Sequence, residues 1–152
     1  LCGREHMLCC RQKVKVSFVE AVYLSHKMNV MLSRDKRQEL ISYAVDVLNT
    51  RKASGKGAIV QGEKLVCPLN EHGKCTVYTQ RPLACRLYDH TRISKKEKQE
   101  LFNNIKELSE NLFLAFSGIF LKEDLIFDLN EVISGKYVQK FFYALMASSD
   151  KE

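Results

Sequence analysis

The segment that decides the fold runs from Cys67 to Arg86 and reads CPLNEHGKCTVYTQRPLACR. It contains three of the six cysteines and both prolines of the chain. Proline fixes the backbone angle φ, so the prolines hold this backbone in place around the thiols. Thiolates are soft ligands that select zinc or iron–sulfur clusters. We therefore expect a preformed metal site in this segment.

The first half of the segment predicts a tight turn between two candidate ligands. Asn70 to Lys74 combines turn-forming residues with Gly73, which takes a positive φ without a steric penalty. Such a turn folds Cys67 and Cys75 back toward each other, as the ligation of one metal requires.

The second half of the segment predicts a short strand followed by a helical turn. Thr76-Val77-Tyr78 has side chains that favour a strand. Arg81-Pro82-Leu83-Ala84 starts a helical turn with proline near its first position. Cys85 is carried by that turn.

The other three cysteines lie near the N-terminus. Cys9 and Cys10 are adjacent, and neighbours in an extended strand point in opposite directions, so we expect one to ligate while the other packs. Zinc and four-iron clusters both take four protein ligands. The predicted ligands are Cys67, Cys75 and Cys85 with one member of the Cys9–Cys10 pair. Further candidates are Cys2, His6 and His72.

A disulfide framework is the main alternative use of six cysteines. Such frameworks mostly serve small secreted domains without a core, whereas this chain has long amphipathic segments. The Cα atoms of adjacent residues are about 3.8 Å apart, and a disulfide prefers about 5.5 Å, so Cys9 and Cys10 would make a poor bridge. Metal ligation is therefore favoured over disulfides.

The spacing of the central cysteines bears on which metal is bound. Seven residues separate Cys67 from Cys75 and nine separate Cys75 from Cys85, whereas a zinc knuckle has about two to four between its cysteines. The wide gaps, and a proline after a ligand cysteine, favour a four-iron cluster, with zinc as the alternative. We expect Arg81 and Arg86 to lie near the thiolates and to offset their negative charge.

The chain resembles the YkgJ-type cysteine-cluster proteins, which are described as a zinc- or iron-chelating domain. Their pattern runs from an N-terminal cluster ending in Cys-Cys to Cys-Pro, Gly-x-Cys-x-x-Tyr and Arg-Pro-x-x-Cys-Arg. The matching steps are Cys9-Cys10, Cys67-Pro68, Gly73 to Tyr78 and Arg81 to Arg86, within roughly residues 2 to 90. The N-terminal part departs from the pattern, because the six residues between Cys2 and Cys9 include no cysteine. The resemblance implies metal chelation and leaves the N-terminal ligands open.

Amphipathic helices account for most of the remaining chain. Ser17-Phe18-Val19-Glu20 and Ser94-Lys95-Lys96-Glu97 are capping boxes that start helices. The predicted β elements are an extended segment from Lys13 to Phe18 and a hairpin over residues 58–66. The predicted helices run from Phe18 to about Met28, from Ser33 to about Thr50, from Ser94 to about Phe120, from Asp128 to before Gly135, and from Tyr137 to Met146.

Two of these helices carry large apolar surfaces. In the helix after Ser94, six apolar residues recur at spacings of three or four, and we expect them to pack in the core, with a docking face for another subunit as the alternative. The last helix is apolar nearly all round, so we expect it to be buried in the fold or in a protein partner. The six residues are Leu101, Ile105, Leu108, Leu112, Phe116 and Ile119.

The composition fits one mainly α domain. The chain has 152 residues, of which 45% are apolar and 28% charged, as in a globular domain with its own core. We expect a single domain over residues 1–152, with a cysteine-cluster region at 2–90, a helical part at 94–147 and a small β-hairpin element at the metal site. No run approaches about eighteen apolar residues and no leader pattern is visible, so we expect no membrane span and a cytoplasmic location.

The motifs favour a metal-binding protein. A net charge of +6 permits nucleic-acid binding, but the basic residues are scattered and no recognised finger accompanies them, so nucleic acid is not the expected partner. The leading hypothesis is an iron–sulfur cluster or zinc with a structural, electron-transfer or redox-sensing role. The alternative is a metal-dependent enzyme, or an accessory subunit of a protein- or peptide-modification enzyme. A reactive thiol at Cys9 or Cys10 would need a nearby positive charge.

Overall fold

The structure, a computed structural model, describes residues 8–53, 66–88, 90–121 and 124–149. The described chain is mainly helical, as predicted, with short strands and two 3-10 turns, at Leu8–Arg11 and Tyr78–Gln80. The strands and α-helices in chain order are β1 (Lys15–Ser17), α1 (Phe18–Met31), α2 (Arg34–Ala53), β2 (Asn70–Glu71), β3 (Lys74–Cys75), α3 (Leu83–Arg86), α4 (Lys95–Ser117), β4 (Ile126–Asp128), α5 (Leu129–Ile133) and α6 (Tyr137–Ser149).

The capping box at Ser17 starts α1 where the sequence predicts it. Glu20 Oε2 accepts the Ser17 backbone N–H at 3.0 Å and the Ser17 hydroxyl at 2.7 Å. These contacts satisfy a donor that the first turn of a helix leaves without a partner. The helix continues to Met31, one turn beyond the predicted end at Met28.

The start of α4 also follows the predicted capping box. Ser94 Oγ accepts the Glu97 N–H at 3.2 Å, and Glu97 Oε2 accepts the Ser94 N–H at 2.8 Å. The helix ends at Ser117 because Gly118 adopts a φ of 72°, a left-handed conformation that stops the helical ladder. The predicted continuation to Phe120 is therefore wrong.

A two-stranded antiparallel ribbon joins distant parts of the chain. β1 pairs with β4, which places Lys15 opposite Asp128 and Val16 opposite Phe127. Next to the ribbon, the Leu129 N–H donates to the Val14 carbonyl oxygen at 3.0 Å. The alternating pattern of residues 13–18 predicts the extended segment, but it carries no information about this partner strand.

An aromatic cluster forms the centre of the core. The Phe18 ring stacks on Phe141 with centroids 5.1 Å apart and meets Phe113 edge-on at 6.2 Å. Phe127 of β4 lies beside Phe18 at 6.5 Å. Burying a large apolar side chain of this kind stabilises a fold by about 1.5–3 kcal/mol. The cluster therefore fixes α1 and the ribbon relative to α4 and α6.

The local β predictions around the cysteines are displaced from the observed strands. Thr76 and Val77 form a turn rather than a strand, because the Val77 carbonyl oxygen accepts the Gln80 N–H at 2.9 Å and so leads into the 3-10 turn. The hairpin at the cysteines is β2–β3, which turns at Gly73. The hairpin predicted over residues 58–66 lies outside the described residues except for Val66.

The apolar faces of α4 and α6 are less buried within this chain than the sequence predicts. Phe113 is fully buried, but Leu101, Leu108 and Phe116 are 37%, 51% and 63% exposed, so the core-packing prediction is wrong for those three residues. On α6, Tyr137 is buried while Tyr143 is 73% exposed. Burial of these surfaces in a partner stays a prediction. No helix in the described part of the chain is long and apolar enough to cross a membrane.

Candidate metal centre

The five described cysteines line one small cavity. Its volume is about 20 Å³. Apolar side chains and one guanidinium complete its wall. The lining residues are Cys9, Cys10, Cys67, Leu69, Cys75, Val77, Arg81, Pro82, Cys85 and Leu129. The free thiols are Cys10, Cys67, Cys75 and Cys85, and Cys9 is disulfide-bonded in this structure.

A 3-10 turn, rather than an extended strand, carries the adjacent cysteines. Cys9 and Cys10 are 4% and 7% exposed, and their Sγ atoms are 3.9 Å apart. Successive residues of a 3-10 turn are rotated by about 120°, so both side chains reach the same interior. The prediction that the two point in opposite directions is therefore wrong.

The central segment is tied directly to this turn. The Cys67 N–H donates to the Cys10 carbonyl oxygen at 2.7 Å. The Asn70 side-chain amide donates to Cys10 Sγ at 3.4 Å. These two contacts bring the N-terminal thiol against the central ones across more than fifty residues of chain.

The predicted turn brings two central cysteines together. Asn70 Oδ1 accepts the Gly73 N–H at 3.1 Å, and Gly73 has a φ of 82°. The resulting β2–β3 hairpin places Asn70 opposite Cys75. The Asn70 N–H donates to the Cys67 carbonyl oxygen at 2.9 Å. The sequence prediction for this turn is confirmed.

The third central cysteine is placed by α3 and by a carboxylate that the sequence reasoning missed. The Cys85 N–H donates to the Pro82 carbonyl oxygen at 3.0 Å, so Pro82 starts the turn as predicted. Glu20 Oε1 accepts the Leu83 N–H at 2.6 Å. Because Glu20 Oε2 is already bound to Ser17, one side chain joins the start of α1 to the helix of Cys85. The capping box reveals Glu20 in the sequence, but not this second partner.

The thiol of Cys67 donates a hydrogen bond to the sulfur of Cys10. A hydrogen bond from the Cys67 thiol lowers the pKa of Cys10 to about 6, against the opposing effect of burial. The same hydrogen bond and burial raise the pKa of Cys67 well above its ordinary value. Cys10 is therefore the thiolate of the pair at neutral pH, and Cys67 is the thiol.

The other two thiols are protonated in the metal-free chain. Burial raises the pKa of Cys75, and a hydrogen bond from the Val77 backbone partly offsets this effect. Burial, together with the negative charges of Cys75, Cys10 and Glu20, raises the pKa of Cys85 to about 12. A bound cation would reverse this balance, because metals bind thiolates and displace the protons.

The two arginines of the central motif have different roles. Arg81 lines the cavity, as predicted, and its charge lowers the pKa values of Cys10, Cys75 and Cys85. Arg86 is exposed and does not line the cavity, so its predicted place beside the thiolates is wrong. Arg86 Nε instead donates to the Arg81 carbonyl oxygen at 2.8 Å and holds the turn.

The remaining candidate ligands are not placed at the cavity. His72 is exposed on the hairpin turn and is absent from the cavity wall. Cys2 and His6 lie outside the described residues. Within the described ranges, no three Cys, His, Asp or Glu side chains are already drawn together as a formed metal site. The four free thiols surround the cavity and fit a soft metal by their chemistry, provided that they rotate inward on binding.

Comparison with known families gave a match to a metal-chelating domain. A family model named CxxCxxCC, described as "Putative zinc- or iron-chelating domain", matches residues 1–108. That range contains all six cysteines and ends within α4. Comparisons with curated proteins and with solved structures gave no match.

Proposed function

We propose that this chain, which belongs to the CxxCxxCC family, holds one zinc ion through the thiolates of Cys10, Cys67, Cys75 and Cys85 and uses that ion to stabilise its fold. The observation that carries the proposal is the convergence of four free thiols on one cavity of about 20 Å³. Four thiolates complete a tetrahedral zinc shell and leave no open position, as in structural zinc sites.

The size of the cavity supports a single ion over a four-iron cluster. A cavity of about 10–15 Å³ holds one water molecule, so the observed 20 Å³ suits one ion. Four irons and four sulfides would have to displace Leu69, Val77 and Leu129, which are at most 4% exposed. A single ion requires only that the thiols rotate. The four-iron cluster favoured by the cysteine spacing stays a prediction.

The backbone around the thiols supports a structural role. Backbone N–H groups of Leu69 and Val77 hydrogen-bond the sulfurs of Cys67 and Cys75, each two residues earlier. Such bonds stabilise a thiolate in the absence of solvent. An enzyme would need an open coordination position that a substrate can reach, and four protein thiolates fill the shell. Electron transfer, redox sensing, the enzyme alternative, the cytoplasmic location and the single domain stay predictions.

Metal analysis of protein purified without air tests the proposal. We expect one zinc per chain and no visible absorbance. About four irons with matching sulfide and a broad brown absorbance would show that the site holds an iron–sulfur cluster instead of zinc. A chain that folds stably with no metal and with all thiols reduced would contradict the structural role.

Cobalt substitution tests the ligand set separately from the natural metal. Tetrahedral Co²⁺ bound by four thiolates gives intense sulfur-to-metal charge-transfer bands and visible ligand-field bands. We expect both in the wild-type chain and in Cys9→Ser. A spectrum of three thiolates in the wild type, or a loss of bands in Cys9→Ser alone, would contradict the proposed ligands.

A further inference from the structure

One residue of the hairpin contacts three of the four proposed zinc ligands. The side-chain amide of Asn70 donates to Cys10 Sγ at 3.4 Å. The backbone N–H of Asn70 donates to the Cys67 carbonyl oxygen at 2.9 Å, and Asn70 lies opposite Cys75 in the β2–β3 ladder. Asn70 is therefore the residue at which the N-terminal turn, the start of the cysteine segment and its hairpin meet.

The orientation of this amide is determined by its second partner. Asn70 Oδ1 accepts the Gly73 N–H at 3.1 Å. A side-chain amide has an acceptor at one end and two donors at the other, so the group that faces Cys10 is the NH₂. The contact with a thiolate at Cys10 is therefore attractive. An aspartate at this position would keep the acceptor for Gly73 but turn an oxygen toward the sulfur.

This amide supplies a donor that the neighbouring backbone does not give to Cys10. The sulfurs of Cys67 and Cys75 each accept an N–H from the residue two positions later. For Cys10 the corresponding residue is Gln12, and its N–H donates to the Cys9 carbonyl oxygen at 3.3 Å. The side-chain amide therefore does for this sulfur what the backbone does for the other two.

We propose that Asn70 is the positioning residue of the zinc site, and that its side-chain amide holds the Cys10 sulfur in place as a ligand. This inference rests on the zinc site proposed above. Four thiolates bring four negative charges to one divalent ion, and hydrogen bonds donated to sulfur offset the excess. Removal of a group that orients a metal ligand in this way typically lowers the metal affinity by about ten- to a hundredfold.

The remaining ligand, Cys85, is held from the other side of the site. Glu20 accepts the Leu83 N–H and so supports the turn that carries Cys85. Glu20 also lines a second, larger cavity of about 560 Å³ between β1 and α4. The wall of this cavity contains three lysines and three carboxylates, so its charges favour neither an anionic nor a cationic ligand.

A pair of variants separates the amide donor from the turn. Asn70→Ser removes the donor to Cys10 Sγ, while a serine hydroxyl still accepts a backbone N–H in a turn of this kind. Gly73→Ala disturbs the turn but keeps the amide. Both variants are made in a Cys9→Ser chain, in which no adjacent thiol can replace Cys10. Each chain is titrated with Co²⁺ under reducing conditions.

The absorbance of bound cobalt reports on the sulfur itself. Asn70→Ser should lower the cobalt affinity by about ten- to a hundredfold and shift the sulfur-to-metal charge-transfer bands to longer wavelength. The shift is expected because a hydrogen bond stabilises the lone pairs of the sulfur, so that its loss lowers the energy needed to move an electron from sulfur to cobalt. Gly73→Ala should weaken binding without shifting the bands. Circular dichroism of the cobalt-loaded chains checks that both variants fold.

A double-mutant cycle tests whether Asn70 acts through Cys10. In a Cys10→Ser chain the amide has no sulfur to hold, so Asn70→Ser should change the cobalt affinity by less than about twofold. In the Cys9→Ser chain the same substitution should have its full effect. Cobalt is added to the Cys10→Ser chain at concentrations high enough to occupy its remaining thiolates.

Failure of this proposal is distinguishable from failure of the zinc site. A Cys9→Ser chain that binds no cobalt, or binds it through fewer than four thiolates, would overturn the zinc site and the role of Asn70 with it. Four-thiolate binding with unchanged bands and affinity in Asn70→Ser, or an equal band shift in Gly73→Ala, would overturn the role of Asn70 alone. An equal effect of Asn70→Ser in the Cys10→Ser chain would do the same. If Asn70→Ser fails to fold, Asn70→Asp, which keeps the shape of the side chain and the acceptor for Gly73, takes its place in the same measurements.

Discussion

The cysteine segment and helix α4 are both rich in sequence signals, but local residues determine more of the first than of the second. Between Cys67 and Cys85, a proline, a glycine or a hydrogen bond within a few residues shapes the turn that carries each ligand candidate. Cys10 and Glu20 add contacts from distant parts of the chain. On α4, the capping box fixes where the helix starts, whereas its apolar spacing does not determine which side is buried. Neighbouring residues determine the backbone conformation of a segment, whereas the burial of its side chains depends on which distant elements pack against it.

The largest effects are expected at the four proposed ligands. Cys10→Ser, Cys67→Ser, Cys75→Ser and Cys85→Ser should each lose the metal and much of the fold, because metal binding supplies folding free energy. Zinc content and thermal unfolding measure both effects. Cys9→Ser is the matched control on the same cavity and should keep its zinc. Full zinc content in the Cys10 variant, with loss of zinc in the Cys9 variant, would show that Cys9 and not Cys10 is the ligand.

Zinc affinity should depend steeply on pH. At pH 7 the lowered pKa of Cys10 makes it a thiolate, while the raised pKa values of Cys67, Cys75 and Cys85 keep three thiols protonated. Binding to a metal-free chain that keeps the fold around its thiols then releases about three protons, so the affinity should fall about a thousandfold for each pH unit below 7.5 until Cys10 also titrates near pH 6. A metal-free chain that is unfolded at the site has four ordinary thiols and would release about four. Competition with a zinc indicator between pH 6.5 and 8 measures the slope.

Calorimetry in buffers of different ionisation enthalpy counts the released protons directly. A release of about four at pH 7 would show that Cys10 is a thiol in the metal-free chain. The pKa of Cys10 also determines how its thiol contributes to the pH dependence of the stability of the metal-free fold. The lowered pKa of Cys10 stabilises the metal-free fold above the ordinary thiol pKa of 9.0, and this contribution is lost as pH falls toward 6.

Two phenylalanines test whether α4 has one buried face and one exposed face. Phe113 is fully buried against Phe18 and Phe141, whereas Phe116 is 63% exposed. Phe113→Ala should lower the free energy of unfolding by about 3–5 kcal/mol, and Phe116→Ala by less than about 0.5 kcal/mol. Chemical denaturation of both variants gives the comparison. A large loss in Phe116→Ala would indicate that α4 is covered in solution.

Substitution of two glycines with positive φ should have smaller effects, and these effects should differ between the cysteine segment and α4. Gly73 lies in the cysteine hairpin and Gly118 ends α4, with φ of 82° and 72°. Alanine at either position should cost about 1–2 kcal/mol of stability, because a Cβ disfavours this conformation. Nothing lies within 4 Å of a Cβ added at Gly118, so its cost is conformational alone. Only Gly73→Ala should also weaken zinc binding, and equal zinc affinities would contradict the turn's role in the site.

The sequence predicts those features that are encoded within a few neighbouring residues. Ser17, Ser94 and Asp128 each cap a helix as expected, and Gly73 turns the hairpin that joins Cys67 to Cys75. The strand expected at Thr76 to Tyr78 fails because the bond from the Gln80 N–H to the Val77 carbonyl oxygen turns the chain. Side-chain preference for a strand is weaker than a turn closed by a backbone hydrogen bond.

Features that depend on distant partners could not be predicted from one sequence. The pairing of β1 with β4 joins residues more than one hundred positions apart. The 3-10 turn that directs both Cys9 and Cys10 inward is stabilised by Cys67 and has no signature of its own. The second contact of Glu20 lies on Leu83, sixty-three residues away. In each case a short local pattern is compatible with several distant partners.

Glu20 and Cys9 form part of the wall between the two cavities, so binding in one cavity can affect binding in the other. Cys9 lines both cavities, and Glu20 lines the larger one while holding the helix that carries Cys85. Two ligands bound on either side of such a wall obey a reciprocity condition. Whatever factor a ligand in the larger cavity changes the zinc affinity by, zinc must change the affinity for that ligand by the same factor. Glu20 is the carboxylate that contacts both sides of this wall.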